Sequence, residues 1–178
     1  MKILGIPGSI RKRSYNRALL EAAITLLPPN VTMEIHDLSL LPLYNDDLAA
    51  QKPPNSVLSF RDHIKTSNSL WIASPEYNYS ITGVLKNALD WAATNTISNL
   101  LVNKTVAIMG ASRSNFGTVR SQLHLRQILF AAGAHVIQKP EVHIRRAQDL
   151  VSAHGAFKDE RTLIKIRALL DAIILDTA

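Results

Sequence analysis

The 178-residue chain contains no cysteine. Disulfides, thiolate nucleophiles and cysteine-ligated zinc or iron–sulfur centres are excluded, so any redox chemistry has to come from a bound cofactor. The chain also lacks any apolar run near the roughly 20 residues that cross a bilayer, and the stretch after Lys2 is too short for a signal-peptide core. A cytoplasmic protein without membrane insertion is expected. Acidic residues are the minority charge, 14 against 20 Lys and Arg, which gives a formal charge of +6. Such a balance favours polyanions. Outside Arg11-Lys12-Arg13 and Arg145-Arg146, however, most cations are scattered among acids with no interleaved aromatic platform, so nucleic acid is not an expected partner. The six histidines show no metal-binding spacing to one another or to carboxylates, and no metal site is expected.

Nearly half of the residues are apolar, 47%, and strand-length apolar runs alternate with segments of helical period. Strands are expected at 2–6, 32–38, 69–74, 104–110 and 134–138, and helices near 15–27, 56–66, 83–95, 118–132 and 159–176. The last helix carries Asp159 and Glu160 in its first turn and a core stripe of Leu163, Ile166, Leu169, Leu170 and Ile173. Mostly apolar rather than alternating strands fit a parallel sheet covered on both faces. The expected fold is an α/β, flavodoxin-like three-layer α/β/α sandwich, with a five-stranded parallel sheet of order 2-1-3-4-5 in one domain, 1–178. Ligands of such sheets bind at the carboxyl ends of the strands.

Three segments at those ends are unusually polar. Gly8 to Asn16, "GSIRKRSYN", leads into a helix with Ser14 as its expected N-cap; either it is a solvated basic loop with an ordinary serine cap, or the amides at that helix start, the hydroxyls of Ser9 and Ser14, and Arg11 cradle one phosphate monoester. The segment matches neither the dinucleotide fingerprint nor the P-loop. In "SPEYNYSITG", 74–83, Glu76, Tyr77, Asn78, Tyr79 and Ser80 crowd one strand end, where a planar, partly polar ring could lie. Glu76 has no local partner for acid–base work and reads better as a brace for its loop. In "GASRSNFGTVRSQLHLRQIL", 110–129, small residues permit close backbone approach, and Gly117 supplies a turn conformation that a side chain would hinder. Trp91 reads as a packing or interface residue rather than a catalytic one.

Together these motifs, G-S-x-R-x-x-S-x-N at 8–16, P-E-Y-N at 75–78, L-K-N-A-x-D-W at 85–91 and H-L-R-Q-I-L at 124–129, resemble the NADPH-dependent FMN reductase family of quinone, azo-dye and chromate reductases. The resemblance implies FMN as cofactor and NADPH or NADH as co-substrate. It implies that Ser9, Arg11, Ser14, Tyr15 and Asn16 contact the phosphate and ribityl end, that Pro75, Glu76, Tyr77 and Asn78 lie beside the isoalloxazine, and that Ser112 is a further flavin contact. It names no catalytic side chain. A small-molecule oxidant is the implied partner, in a homodimer or homotetramer that gives Trp91, His124 and Arg126 interface roles. A flavodoxin-type electron carrier without nicotinamide turnover is the alternative. Thr82 stands where many members have Pro, and Ser114 and Thr118 stand where the family has glycines.

Overall fold

A computed structural model describes residues 1–94 and 96–177. Its strands are β1 (Lys2–Pro7), β2 (Thr32–Ile35), β3 (Ser69–Ala73), β4 (Thr105–Ala111), β5 (His135–Val136) and β6 (Val142–Ile144). The helices are α1 (Tyr15–Ile24), α2 (Asp46–Ala50), α3 (Asn55–Thr66), α4 (Gly83–Ala93), α5 (Val119–Ala131) and α6 (Glu160–Thr177). All strand pairs are parallel, in the order β2-β1-β3-β4-β5, with β6 also beside β4. The flavodoxin-like order is as expected, but the sheet has six strands rather than five. The fifth position is shared: β5 pairs with Thr105 and Val106, and β6 with Met109, Gly110 and Ala111. Pro140, which has no N–H to donate, lies between the two short strands, as expected where a ladder is interrupted.

Two further boundaries move for local reasons. Helix α1 stops at Ile24 instead of 27, just ahead of Pro28 and Pro29, whose rings disfavour helix in what precedes them. Strand β2 stops at Ile35 instead of 38, because Asp37 accepts a hydrogen bond from the Ser39 N–H at 2.9 Å and starts a single 3₁₀ turn. That bond also holds the Asp37 carboxyl below its ordinary pKa. The expected helix end at Asn95 lies outside the described residues, as does Ala178.

Side chains alternate between two cores, as a strand's two-residue period requires. Ile3, Trp71, Ala107 and Met109 pack under α1 and α6, whereas Leu4, Ile6, Leu70, Ile72, Val106 and Ile108 pack under α3, α4 and α5. Trp91 is fully buried, donates from Nε1 to the Pro42 carbonyl at 2.9 Å, and meets Tyr44 edge-on. It is therefore a packing residue, and the interface role is corrected: within its own chain no surface of Trp91 remains free.

Arg61 is buried without a carboxylate partner. Its Nη1 donates to the Trp91 carbonyl at 2.6 Å, and its Nη2 donates to the Ser98 carbonyl at 2.7 Å and the Ser98 hydroxyl at 2.8 Å. Burial lowers its pKa, yet the negative end of the α4 dipole favours a cation there. A planar fork spans both carbonyls and an ammonium cannot. Arg61→Lys is expected to cost about 1–2 kcal/mol, read as a lower urea midpoint with an unchanged slope.

Candidate functional site

The chain leaves β1 towards β2 on one side and returns through α3 to β3 on the other, so a crevice opens at the carboxyl ends of β1 and β3. The first loop is fixed at both ends. The Gly8 N–H donates to the Ala73 carbonyl at 2.8 Å, and Ser14, nearly buried, caps α1 by accepting from the Arg17 N–H at 3.3 Å. Between them, Ser9 Oγ accepts from the Arg11 N–H at 3.3 Å and folds the loop back on itself. Arg11, Lys12 and Arg13 are all exposed. Only Arg11 lines the cleft, with its guanidinium 5.4 Å from the Tyr15 ring centroid, whereas Arg13 donates to the Ala153 carbonyl at 3.4 Å.

Asn16 is buried, and both ends of its amide are engaged. Nδ2 donates to the Ala111 carbonyl at 3.0 Å and Oδ1 accepts from the Ala111 N–H at 2.9 Å, tying the start of α1 to the end of β4. Thr82 has a similar bracing role. Its hydroxyl donates to the Gly8 carbonyl at 2.6 Å and caps α4 by accepting from the Leu85 N–H at 3.2 Å. Proline, with no hydroxyl, could make neither bond, so the departure at this position has a structural use.

The second loop turns at Asn78 and Tyr79, both at positive φ, between reciprocal Tyr77 and Ser80 backbone hydrogen bonds of 3.0 Å. Glu76, largely buried, accepts from Arg120 Nε at 2.6 Å and from the N–H groups of Arg120 and Ser121 at 3.0 and 3.3 Å. Its charge is matched to the positive start of α5, which is the expected bracing role. The third loop passes Ser112, whose N–H donates to the Ile144 carbonyl at 3.0 Å and whose hydroxyl pairs with Ser114 at 3.0 Å. Gly117 lies at φ +60, and a Cβ there would sit 3.1 Å from His143 Cβ, so the expected glycine turn is present. Thr118 follows at φ +69, fully buried, as the N-cap of α5.

These loops enclose a cleft of about 220 Å³ lined by Arg11, Ser14, Tyr15, Asn16, Pro75, Glu76, Tyr77 and Ser112, together with Ala111 and Arg113. Eight of the ten expected site residues meet here. Ser9 and Asn78 do not line the cleft; they shape the loops that do. A larger cavity, about 880 Å³, lies between α5, β5 and α6; Arg126, His135 and Lys139 line it beside Phe130, Val136 and Leu175, but no residue of 8–16 or 74–83 does. Sequence reading missed the part played by Arg120, 44 residues from Glu76 in the chain. An aromatic, Phe116, in an otherwise small and polar loop was the available sign. His124 Nδ1 is 3.0 Å from Ser80 Oγ, and Arg126 donates to the Ile137 carbonyl at 3.1 Å. Among the described residues no group of three or more His, Asp or Glu side chains could hold a metal.

A doubly wound parallel sheet with a Ser-capped helix start, an arginine beside it and an aromatic loop at its switch point places the chain among flavodoxin-like proteins. The family model for NADPH-dependent FMN reductase matches residues 1–149, and the chain belongs to that family. An NAD(P)H-dependent FMN reductase of Pseudomonas aeruginosa is 45% identical over 98% of this chain and 94% of its own length. An NAD(P)H:quinone oxidoreductase of Solanum tuberosum is 42% identical over 97% and 91%. Among solved structures, the flavoenzyme NAD(P)H:(acceptor) oxidoreductase FerB of Paracoccus denitrificans superposes with a TM-score of 0.89 at 31% identity, covering 99% of this chain and 96% of that one.

Proposed function

We propose that this chain is an FMN-dependent NAD(P)H oxidoreductase that delivers two electrons to quinones and similar small oxidants. The observation that carries the reading is the meeting of Arg11, the Ser14-capped start of α1 and the Tyr77 loop in one cleft, in a chain whose close relatives are named FMN and quinone reductases. Those names support the reductase over the flavodoxin-type electron carrier. A guanidinium, hydroxyls and unpaired N-terminal amides are the donor set a phosphate dianion requires. FMN, when bound, supplies the hydride relay between nicotinamide and acceptor.

The protein's own groups bind and orient. Arg11, Ser14 and the α1 amides take the phosphate, Tyr15 backs the Arg11 guanidinium, and Ser9 shapes the loop that presents it. Asn16 and Thr82 hold the first loop against its neighbours. Pro75, Glu76, Tyr77 and Asn78 form the ring-side wall, and Ser112 faces them. No side chain is assigned as nucleophile or general acid. The net reaction consumes NADPH, a proton and a quinone and yields NADP⁺ and a hydroquinone.

At about 220 Å³ the cleft is smaller than the roughly 300–1,000 Å³ typical of small-molecule sites, and Tyr77, Tyr79 and Phe116 are exposed at or beside it. Both features support completion of the site by a second copy, in a homodimer or homotetramer. Residues 1–178 form one domain in this reading, and the absence of cysteine supports the cytoplasm. Among the described residues no helix is long and apolar enough to cross a membrane. Purified protein is expected to be yellow, to release FMN on denaturation, and to oxidise NADPH when a quinone is added. Turnover no faster than a flavin-free control would refute the reductase.

A further inference from the structure

Away from the cleft, two histidines from different elements meet nitrogen to nitrogen. His36 directly follows β2, where its own N–H donates to the Gly5 carbonyl at 3.0 Å, and His63 lies in the last turn of α3. Their Nδ1 atoms are 3.0 Å apart. Both rings are half-buried and meet edge to face, and the His36 ring is also 4.9 Å from the buried ring of Phe60. Among the described residues β2 is a four-residue edge strand paired with β1 alone, so this contact ties its carboxyl end to the helix layer.

A hydrogen bond between two ring nitrogens holds one hydrogen, so one ring donates and the other accepts. Glu34 decides which. Its Oε1 lies 3.4 Å from His63 Nδ1, so a hydrogen on that nitrogen faces both a lone pair and a carboxylate. His36 then accepts through Nδ1 and carries its own hydrogen on Nε2. A first added proton enters at His63 Nε2, and the imidazolium keeps the bond, strengthened by its charge. A second has only His36 Nδ1 left, where it meets the His63 N–H head-on. The other charged groups around the pair are Lys2, 3.4 Å from Glu34, and Asp37, which feels Arg17; Asp62 and Lys65, the neighbours of His63 on α3, are exposed.

We propose that His36 and His63 form a proton-operated latch, which fastens the end of β2 to α3 while the rings share a hydrogen bond and releases residues 36–41 when both rings are charged. The released stretch ends there because Pro42 is held separately, its carbonyl accepting from Asn87 Nδ2 and Trp91 Nε1 at 2.9 Å. Burial, and after it the charge of His63, lower the His36 pKa, while Glu34 and Asp37 oppose the shift. Below the ordinary value of 6.5 the unfolded chain takes up a proton that the folded His36 resists. The latch therefore stabilises fully above that pH and loses its contribution as pH falls towards the folded pKa. It lies at the carboxyl edge of the sheet, which also carries the cleft, but it goes beyond the reductase reading and does not depend on it.

The first test needs no substitution: NMR of the purified protein carrying isotope-labelled histidine, in a buffer with a chelator. At about pH 8 a coupling through the hydrogen bond between the two Nδ1 nuclei is expected, and by about pH 5 it is expected to be lost. Its absence at the higher pH, or its persistence at the lower, would overturn the latch. His36→Phe and His63→Phe each keep a ring and remove its nitrogens. In a double-mutant cycle of urea midpoints they are expected to show a favourable coupling at about pH 8 that disappears or changes sign at about pH 5. Coupling of equal size at both pH values would also overturn the proposal, because a contact made of packing alone does not titrate.

Discussion

Arg11→Ala is expected to lower FMN affinity about 10- to 150-fold, equivalent to about 1.5–3 kcal/mol, the usual worth of a hydrogen bond to a charged group. Arg11 lines the cleft, and it is absent from the ion pairs among the described residues, so its guanidinium is available to an anion. Its one close aromatic neighbour, Tyr15, orients it without neutralising it. Lys12 and Arg13 provide the control, since both are exposed, neither lines the cleft, and Arg13 contacts Ala153. Lys12→Ala and Arg13→Ala are expected to shift FMN binding by less than about 0.5 kcal/mol. Fluorescence titration of apoprotein with FMN measures all three. Equal losses in the three variants would mean that a diffuse basic patch, not a bidentate contact, attracts the phosphate.

Most of the architecture was legible because apolar periodicity is a local signal. The runs at 2–6, 69–74 and 104–110 emerge as β1, β3 and β4 within a residue or two, and their order follows from right-handed crossovers. The edge was harder to read. Strands β5 and β6 are short and complete one sheet position between them, which no run of residues announces. The site divides in the same way. The groups proposed to take the phosphate, Arg11 and Ser14, are visible as a motif within one turn, whereas what holds the turn comes from far away in the chain: Asn16 meets Ala111, Thr82 meets Gly8, and Glu76 meets Arg120. His36 and His63 show the same limit. Their Nδ1 atoms lie 3.0 Å apart across 27 residues, and burial, together with His63, lowers the His36 pKa. Residue type showed what could bind, but not which polar groups were already spent on the fold.

Gly110→Ala is expected to be strongly damaging for the addition of a single methyl group, costing about 3 kcal/mol or more, near or above the upper end for overpacking. Gly110 lies in β4 opposite His143 of β6, and a Cβ there would collide with Thr118 Oγ1 and the Ser74 carbonyl and come within 3.0 Å of Thr118 Cβ. None of these atoms can yield cheaply. The Ser74 N–H is bonded to Met109, and its hydroxyl lies 2.8 Å from Ser121 Oγ; Thr118 is fully buried at positive φ, with Oγ1 accepting from Gln122 Nε2 at 3.1 Å. The resemblance implies glycine at position 118, and this chain packs a threonine there into space that Gly110 leaves open. A double-mutant cycle with Thr118→Gly tests this directly, because removing the hydroxyl and methyl takes away part of the collision and relaxes the left-handed backbone. In urea unfolding, Gly110→Ala is expected to cost at least about 1 kcal/mol less in the Thr118→Gly background than alone, the collision with the Ser74 carbonyl accounting for the remainder. Additive effects would show that the damage is set by Ser74 alone, and that the threonine departure at 118 is independent of the glycine beneath it.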